Sequence, residues 1–227
     1  MHTDEEGGVV ADHHSTPLPA ALWRSPLRTI RPQDATAVYA NPRPEIARLT
    51  DKGLLHRVAH GYYVIVPPEY VGRTWLPDLE AVAAGIASSI YGADNAVLMG
   101  ISAARMWGAI PRALATAVVA VPHQHRPITL SDRTATLPFE RRDTDAQDAE
   151  RAETPLGPAL VTTAEQTVLD LTKRPRLGNA EADVPAAVAT LYARSDHERL
   201  IELAAAQRLM GALRRAEIWG EHGHGHR

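Results

Sequence analysis

Basic side chains are concentrated between residues 17 and 75, and clustered cations are the chemistry that nucleic-acid phosphates require. This segment carries eight Arg or Lys and four Asp or Glu, whereas residues 1–16 carry four acidic residues and no Arg or Lys. Residues 76–227 hold 16 basic and 19 acidic side chains, and the whole chain has a net charge of −3. A basic segment in an acidic chain predicts a localised surface for nucleic acid.

The candidate DNA contacts in this segment are Arg28, Arg31, Arg43, Arg48, Lys52, Arg57 and His60. Arg48 is the best candidate for reading a base edge, because a guanidinium can donate two hydrogen bonds to guanine. Arg43 and Lys52 flank it and are expected to contact phosphate. Arg57 and His60 are expected at the tip of a hairpin, in the minor groove or against the backbone. The arginines at positions 28 and 31 are expected to anchor the opposite side.

A helix between Asn41 and Gly53 is the element expected to present these cations. Asn41 is the predicted N-cap, Pro42 fits the first helical position, and Gly53 can adopt the left-handed conformation that ends helices. Ile46 and Leu49 share one apolar side by their spacing. The helix is therefore expected to bury that side and to present a mostly small or cationic surface.

A two-stranded hairpin is predicted directly after this helix. Leu54–Val58 and Tyr62–Val66 are rich in β-branched, aromatic and apolar residues, and His60-Gly61 marks the turn between them. Upstream, Arg31–Ala40 is predicted to form a short helix that begins at Pro32. The order of helix, turn, helix and wing predicts a winged helix-turn-helix, whose second helix enters the major groove.

Three pieces of the chain, spread over roughly residues 20–175, resemble AbiEi-type antitoxins, the antitoxin-repressors of type IV toxin–antitoxin pairs. The pieces are Arg48–Tyr63, Gly100–Pro111 and Thr163–Leu171. The resemblance implies an N-terminal winged helix that represses its own operon. It also implies a C-terminal α/β domain that supports neutralisation of a cognate nucleotidyltransferase-like toxin. A single winged-helix domain makes few contacts with DNA, so operator recognition needs two copies of the chain, as a homodimer or in tandem on DNA repeats.

The rest of the chain predicts an α/β domain over residues 76–218, which makes the whole fold mixed α+β. The predicted helices cover 78–91, 102–108 (capped by Ser102), 163–174, 185–194 and 195–218, with capping boxes beginning at Thr162-Thr163 and Ser195. The predicted strands cover 117–121, 128–130, 134–140, 150–155 and 159–162. Residues 1–16 and 219–227 are predicted to be flexible tails.

Enzyme chemistry is not expected. The chain has no Cys, no phosphate-binding glycine loop, and no HExxH or GxSxG motif. Asp170 lies among apolar neighbours and is interpreted as a cap partner or ion-pair member. The paired histidines, at 13–14 and 123/125 and in the C-terminal tail, do not predict a metal site. No cofactor is expected either.

The acidic, polar N-terminus is unlike a secretory signal, and no apolar run is long enough for a bilayer, so the expected location is the cytoplasm without membrane association. Two other function classes stay open. One is a stand-alone transcriptional regulator whose second domain senses a ligand or dimerises. The other is a nuclease targeted by a winged helix, with Asp170 in its active site.

Overall fold

Residues 18–223 are described by the computed structural model, which contains eight helices and ten strands. The helices are α1 (Ala20–Trp23), α2 (Pro42–Asp51), α3 (Leu79–Tyr91), α4 (Ile101–Met106), α5 (Ala164–Lys173), α6 (Val184–Tyr192), α7 (His197–Ala206) and α8 (Met210–Gly223). The strands are β1 (Thr29–Ile30), β2 (Leu55–Ala59), β3 (Tyr62–Ile65), β4 (Val97–Leu98), β5 (Val119–Val121), β6 (Ile128–Thr129), β7 (Thr136–Leu137), β8 (Phe139–Arg141), β9 (Ala149–Thr154) and β10 (Gly157–Thr162). The prediction of a mixed α+β fold is confirmed.

The N-terminal unit, residues 18–75, is built on a three-stranded antiparallel sheet in the order β1-β3-β2. Ile46 and Leu49 of α2 are buried against this sheet, together with Leu22, Ile30 and Leu55. Glycines at the two predicted stops have positive φ, +68° at position 53 and +79° at position 61. The predicted helix and hairpin therefore form where the Gly residues at their ends predict them.

Two local predictions in this unit are wrong. Arg31–Ala40 does not form a helix, and only the 3-10 turn Asp34–Ala37 is present. The Asp34 carboxylate accepts from the backbone N–H of Arg31 at 3.0 Å and also binds its guanidinium, which fixes a turn instead. Asn41 precedes α2 but makes no side-chain capping bond. Pro44 at the third helical position has no N–H to offer it.

A mixed five-stranded sheet in the order β8-β5-β4-β10-β9 forms the centre of the C-terminal unit, residues 76–223. Side chains alternate across it, as the period of a strand requires. Val97 and Ala120 face one core cluster with α4–α8, whereas Leu98 and Val119 face another with α3. The sheet is thus covered on one face by α3 and on the other by five helices.

Helix α3 also joins the two units. Leu27, Val58 and Val64 of the N-terminal unit belong to the same buried cluster as the small residues of α3. The backbone N–H of Ser131 donates to the carbonyl of Val58 at 2.9 Å. A second link is His56 Nε2, which lies 2.9 Å from an oxygen of the buried Asp132 carboxylate. The N-terminal sheet therefore packs against the C-terminal unit through both apolar and polar contacts.

Helix starts in the C-terminal unit differ from several predictions. Ser102 does not cap a helix, because α4 begins at Ile101 and the buried Ser102 hydroxyl accepts from Val118 N–H at 2.7 Å. Asp196, not Ser195, caps α7 and accepts from two backbone N–H groups. Thr163 does cap α5, but Gln166 does not return the bond and pairs with Gln207 instead. Only half of that capping box is therefore formed.

The predicted single helix over residues 195–218 is two helices. The break falls between Ala206 and Met210, where Arg208 has a φ of +58°. Neither Gly nor Pro marks this turn, so the sequence carries no strong signal for it. Helix α8 continues to Gly223, and Trp219 packs on the core, so residues 219–223 of the predicted tail are helical.

Residues 1–17 and 224–227, which hold the other tail predictions, lie outside the described residues. None of the helices between residues 18 and 223 is both long and apolar enough to cross a membrane.

Candidate nucleic-acid interface

A groove of about 1040 Å³ lies between the start of α2, the 3-10 turn Asp34–Ala37 and the tip of the β2–β3 hairpin. Its lining includes Arg31, Arg43, Arg57, His60, Tyr62 and Tyr63. Helix α2 positions Arg43 in its first turn, and the hairpin positions Arg57 and His60 on either side of the bulge between Arg57 and Ala59. Four of the seven predicted contacts thus converge on one concave surface.

Arg43 and Arg57 are the least compensated cations of this groove. Both are exposed, and the Arg43 side chain makes no hydrogen bond or ion pair with any residue between 18 and 223. Arg57 Nη2 lies 3.2 Å from His60 Nδ1. Because a guanidinium only donates, this contact requires an unprotonated Nδ1 on His60. The two arginines can therefore accept new anionic partners without losing an ion pair within the described chain.

Two other predicted contacts are neutralised by neighbouring acids. The Arg31 guanidinium binds both carboxylate oxygens of Asp34, at 3.0 and 2.9 Å. Arg48 donates from Nε and Nη2 to one oxygen of Glu45, at 2.9 and 2.8 Å. These pairs are partly exposed, so each is worth about 1 kcal/mol or less. Arg48 must exchange Glu45 for a base edge before it can read sequence.

Arg28 and Lys52 lie outside the groove lining. The Arg28 guanidinium sits 5.7 Å from the centroid of the Trp23 ring, a cation–π distance. Lys52 is exposed at the C-cap of α2. The preceding residue, Asp51, is the last residue of the helix and is also exposed. The structure therefore brings together Arg31, Arg43, Arg57 and His60, and it leaves Arg28, Arg48 and Lys52 outside the groove lining.

Sequence reasoning assigned no site role to the two tyrosines of the groove. Tyr62 and Tyr63 follow the turn at Gly61, and both are half-buried where the hairpin meets the groove floor. Burial raises the pKa of Tyr62 above its usual value, so its hydroxyl stays protonated at neutral pH and can donate to an anion. An aromatic pair directly after a turn glycine was the available signal.

Asp170 is neither a cap partner nor an ion-pair member, so that interpretation is wrong. It is buried on α5, where Oδ1 accepts from Gln166 Nε2 at 3.3 Å. Oδ2 has no hydrogen-bond partner in the described part of the chain. Burial raises its pKa to about 7, against the opposing influence of Arg142. Within residues 18–223 no three His, Asp or Glu side chains are grouped for a metal.

Replacing Asp170 by Asn should stabilise the protein at alkaline pH. An acid whose folded pKa is raised contributes its stability below the unfolded pKa near 3.8 and loses it as pH rises through about 7. The Asn variant is expected to exceed the wild type by about 2–4 kcal/mol at pH 8 and to match it near pH 4. Urea unfolding across this range measures the difference, with the exposed Asp145→Asn as control. A difference independent of pH would contradict the assignment.

Comparison with solved structures shows a likeness of fold. No protein-family model matches the chain, and no curated protein matches it. The chain is similar to the crystal structure of the RV2827C protein from Mycobacterium tuberculosis, with a TM-score of 0.57 and 21% identity over 89% of this chain and 74% of that one. At this identity the likeness is one of fold alone, and it supports the mixed α+β architecture.

Proposed function

We propose that the chain is an antitoxin-repressor of the AbiEi type, which binds operator DNA through its N-terminal unit and counteracts a nucleotidyltransferase-like toxin. The order of elements supports a winged helix: α1, β1, a 3-10 turn, α2, then the β2–β3 hairpin with β1 added to its edge. In that scheme α2 enters the major groove and the hairpin is the wing. The short 3-10 turn takes the place of the first helix of the helix-turn-helix.

The observation that carries the proposal is the groove between α2 and the wing. Arg43 and Arg57 approach it from the two elements that a winged helix applies to DNA, and neither is held by an acid. Phosphate contacts supply most of the affinity of such modules, and Arg is suited to them because it can donate two bonds at once. Tyr62 adds a neutral donor to the same surface.

The antitoxin part of the proposal rests on the resemblance of three sequence pieces. Two of them, Gly100–Pro111 and Thr163–Leu171, lie in the C-terminal unit, where α4 and α5 pack against each other on one face of the sheet. Their proximity is consistent with a shared structural role in that unit. Neutralisation of the toxin by this unit is what the resemblance implies.

Co-expression tests the antitoxin role. If a gene beside this one encodes a nucleotidyltransferase-like protein, inducing that gene alone is expected to arrest growth, and co-expressing this chain should restore it. The Arg43→Ala/Arg57→Ala variant is the matched control, since it should still rescue growth while losing repression of a reporter behind the operator. Repression without rescue would contradict the antitoxin role and leave a stand-alone regulator.

The stand-alone regulator has one observation in its favour. A second cavity of about 660 Å³ opens beside Arg174, Arg176 and Asn179, under the β6–β7 hairpin. Its volume lies in the range of small-molecule sites. A regulator of this kind would release DNA when a small anion fills that cavity, and an antitoxin would not.

A further inference from the structure

Strand β9 leaves one backbone edge of the five-stranded sheet without a partner. It pairs only with β10, and Glu153 stands opposite Pro158. Since Pro has no N–H, Glu153 and Pro158 form a non-hydrogen-bonded pair, and such pairs alternate along an antiparallel ladder. The N–H and C=O groups of Ala149, Arg151 and Glu153 therefore point away from β10. These groups make no hydrogen bond with other described residues.

The charged side chains of β9 favour one register over the others when two copies of this strand pair edge to edge. In antiparallel pairing about a two-fold axis, outward-pointing residues must face one another. An axis at Glu150, Arg151 or Glu153 places a charged residue opposite its own copy, which is unfavourable. An axis at Ala152 places Arg151 opposite the partner's Glu153 twice, and Ala152 opposite its own copy on the other face of the sheet. An axis at either end of the strand pairs too few residues.

We propose that β9 pairs with β9 of a second copy of this chain, antiparallel and with its two-fold axis at Ala152. The two sheets then form one continuous ten-stranded sheet, because each contributes five strands. Arg151 and Glu153 are exposed in the single chain and become a reciprocal pair of ion pairs. Within the single chain, Arg151 also forms an exposed ion pair with Asp94. The inference goes beyond the proposed function and stands without it.

Charge reversal tests the register. Arg151→Glu or Glu153→Arg alone turns both ion pairs into repulsions and should raise the dimer dissociation constant at least about tenfold in sedimentation equilibrium. Mixing the two single variants, or combining both changes in one chain, restores opposite charges across the axis and should restore the dimer. A wild type that stays monomeric up to the highest attainable concentration overturns the proposal. So does a dimer that ignores the reversals.

A single cysteine gives an independent readout, because the chain has no Cys. Opposed residues of a non-hydrogen-bonded pair have Cα atoms about 4.5 Å apart, within the range of a disulfide. Ala152→Cys should therefore form a covalent dimer under mild oxidation. Glu150→Cys lies on the same strand face, two residues from the axis, and should not cross-link. Equal cross-linking of the two variants, or none by Ala152→Cys in a folded dimer, would overturn the register.

Discussion

Gly85→Ala should destabilise the protein by about 3 kcal/mol, because the added methyl would overlap the N-terminal unit. A Cβ built at position 85 lies 2.1 Å from Thr29 Oγ1, 3.1 Å from Thr29 Cβ and 3.3 Å from Leu27 Cβ. Thr29 is buried and its hydroxyl donates to the Leu27 carbonyl, so it cannot rotate away without losing that bond. Urea or thermal unfolding measures the loss.

Gly211→Ala is the matched control for this substitution. It lies in α8 with no atom within 4 Å of an added Cβ, so Ala should be neutral or stabilising by up to about 1 kcal/mol. A second test is Thr29→Ala, which removes the nearest atom and should recover part of the loss when combined with Gly85→Ala. An unchanged unfolding midpoint for Gly85→Ala would mean that α3 does not approach β1 as closely as described.

Arg43→Ala/Arg57→Ala should weaken binding to duplex DNA by about 100-fold at low salt, since each arginine is expected to contribute about 1–2 kcal/mol to phosphate or base-edge contacts. The exposed positions of both side chains make the change harmless to the fold. Arg214→Ala, on the exposed side of α8, removes a charge of the same kind far along the chain and should leave affinity within about twofold. Fluorescence anisotropy with a labelled duplex measures all three proteins. Equal losses of affinity for the double variant and for Arg214→Ala would mean that only the net charge of the protein matters, which would contradict a role for these two arginines.

Residues that begin or end helices and turns made much of the N-terminal unit predictable. Pro42 and Gly53 bracket α2, and Gly61 marks the hairpin, because these residues restrict or permit backbone angles without help from distant contacts. In the C-terminal unit, the two strands predicted on either side of Leu156-Gly157-Pro158 are likewise present, as β9 and β10. The helix predicted over Arg31–Ala40 is absent because the Asp34 carboxylate accepts a hydrogen bond from the backbone N–H of Arg31, which stabilises a turn instead.

The candidate site was only partly predicted. The ion pairs that neutralise Arg31 and Arg48 could have been predicted, because the acids stand three residues away, at 34 and 45. The convergence of α2 and the wing on one groove depends on packing, which sequence spacing does not contain. Asp170 shows the same limit, since its neighbour Gln166 is held by Gln207, 41 residues later in the chain.

The most direct test of the DNA-binding groove is the salt dependence of binding to the protein's own upstream DNA. Counterion release makes the logarithm of affinity fall linearly with the logarithm of salt concentration, by about 0.9 for each phosphate contacted. The wild type is expected to show a steep negative slope, and Arg43→Ala/Arg57→Ala a slope shallower by about 2. Identical slopes for the two proteins, or no binding by the wild type at low salt, would contradict the assignment of this groove to DNA.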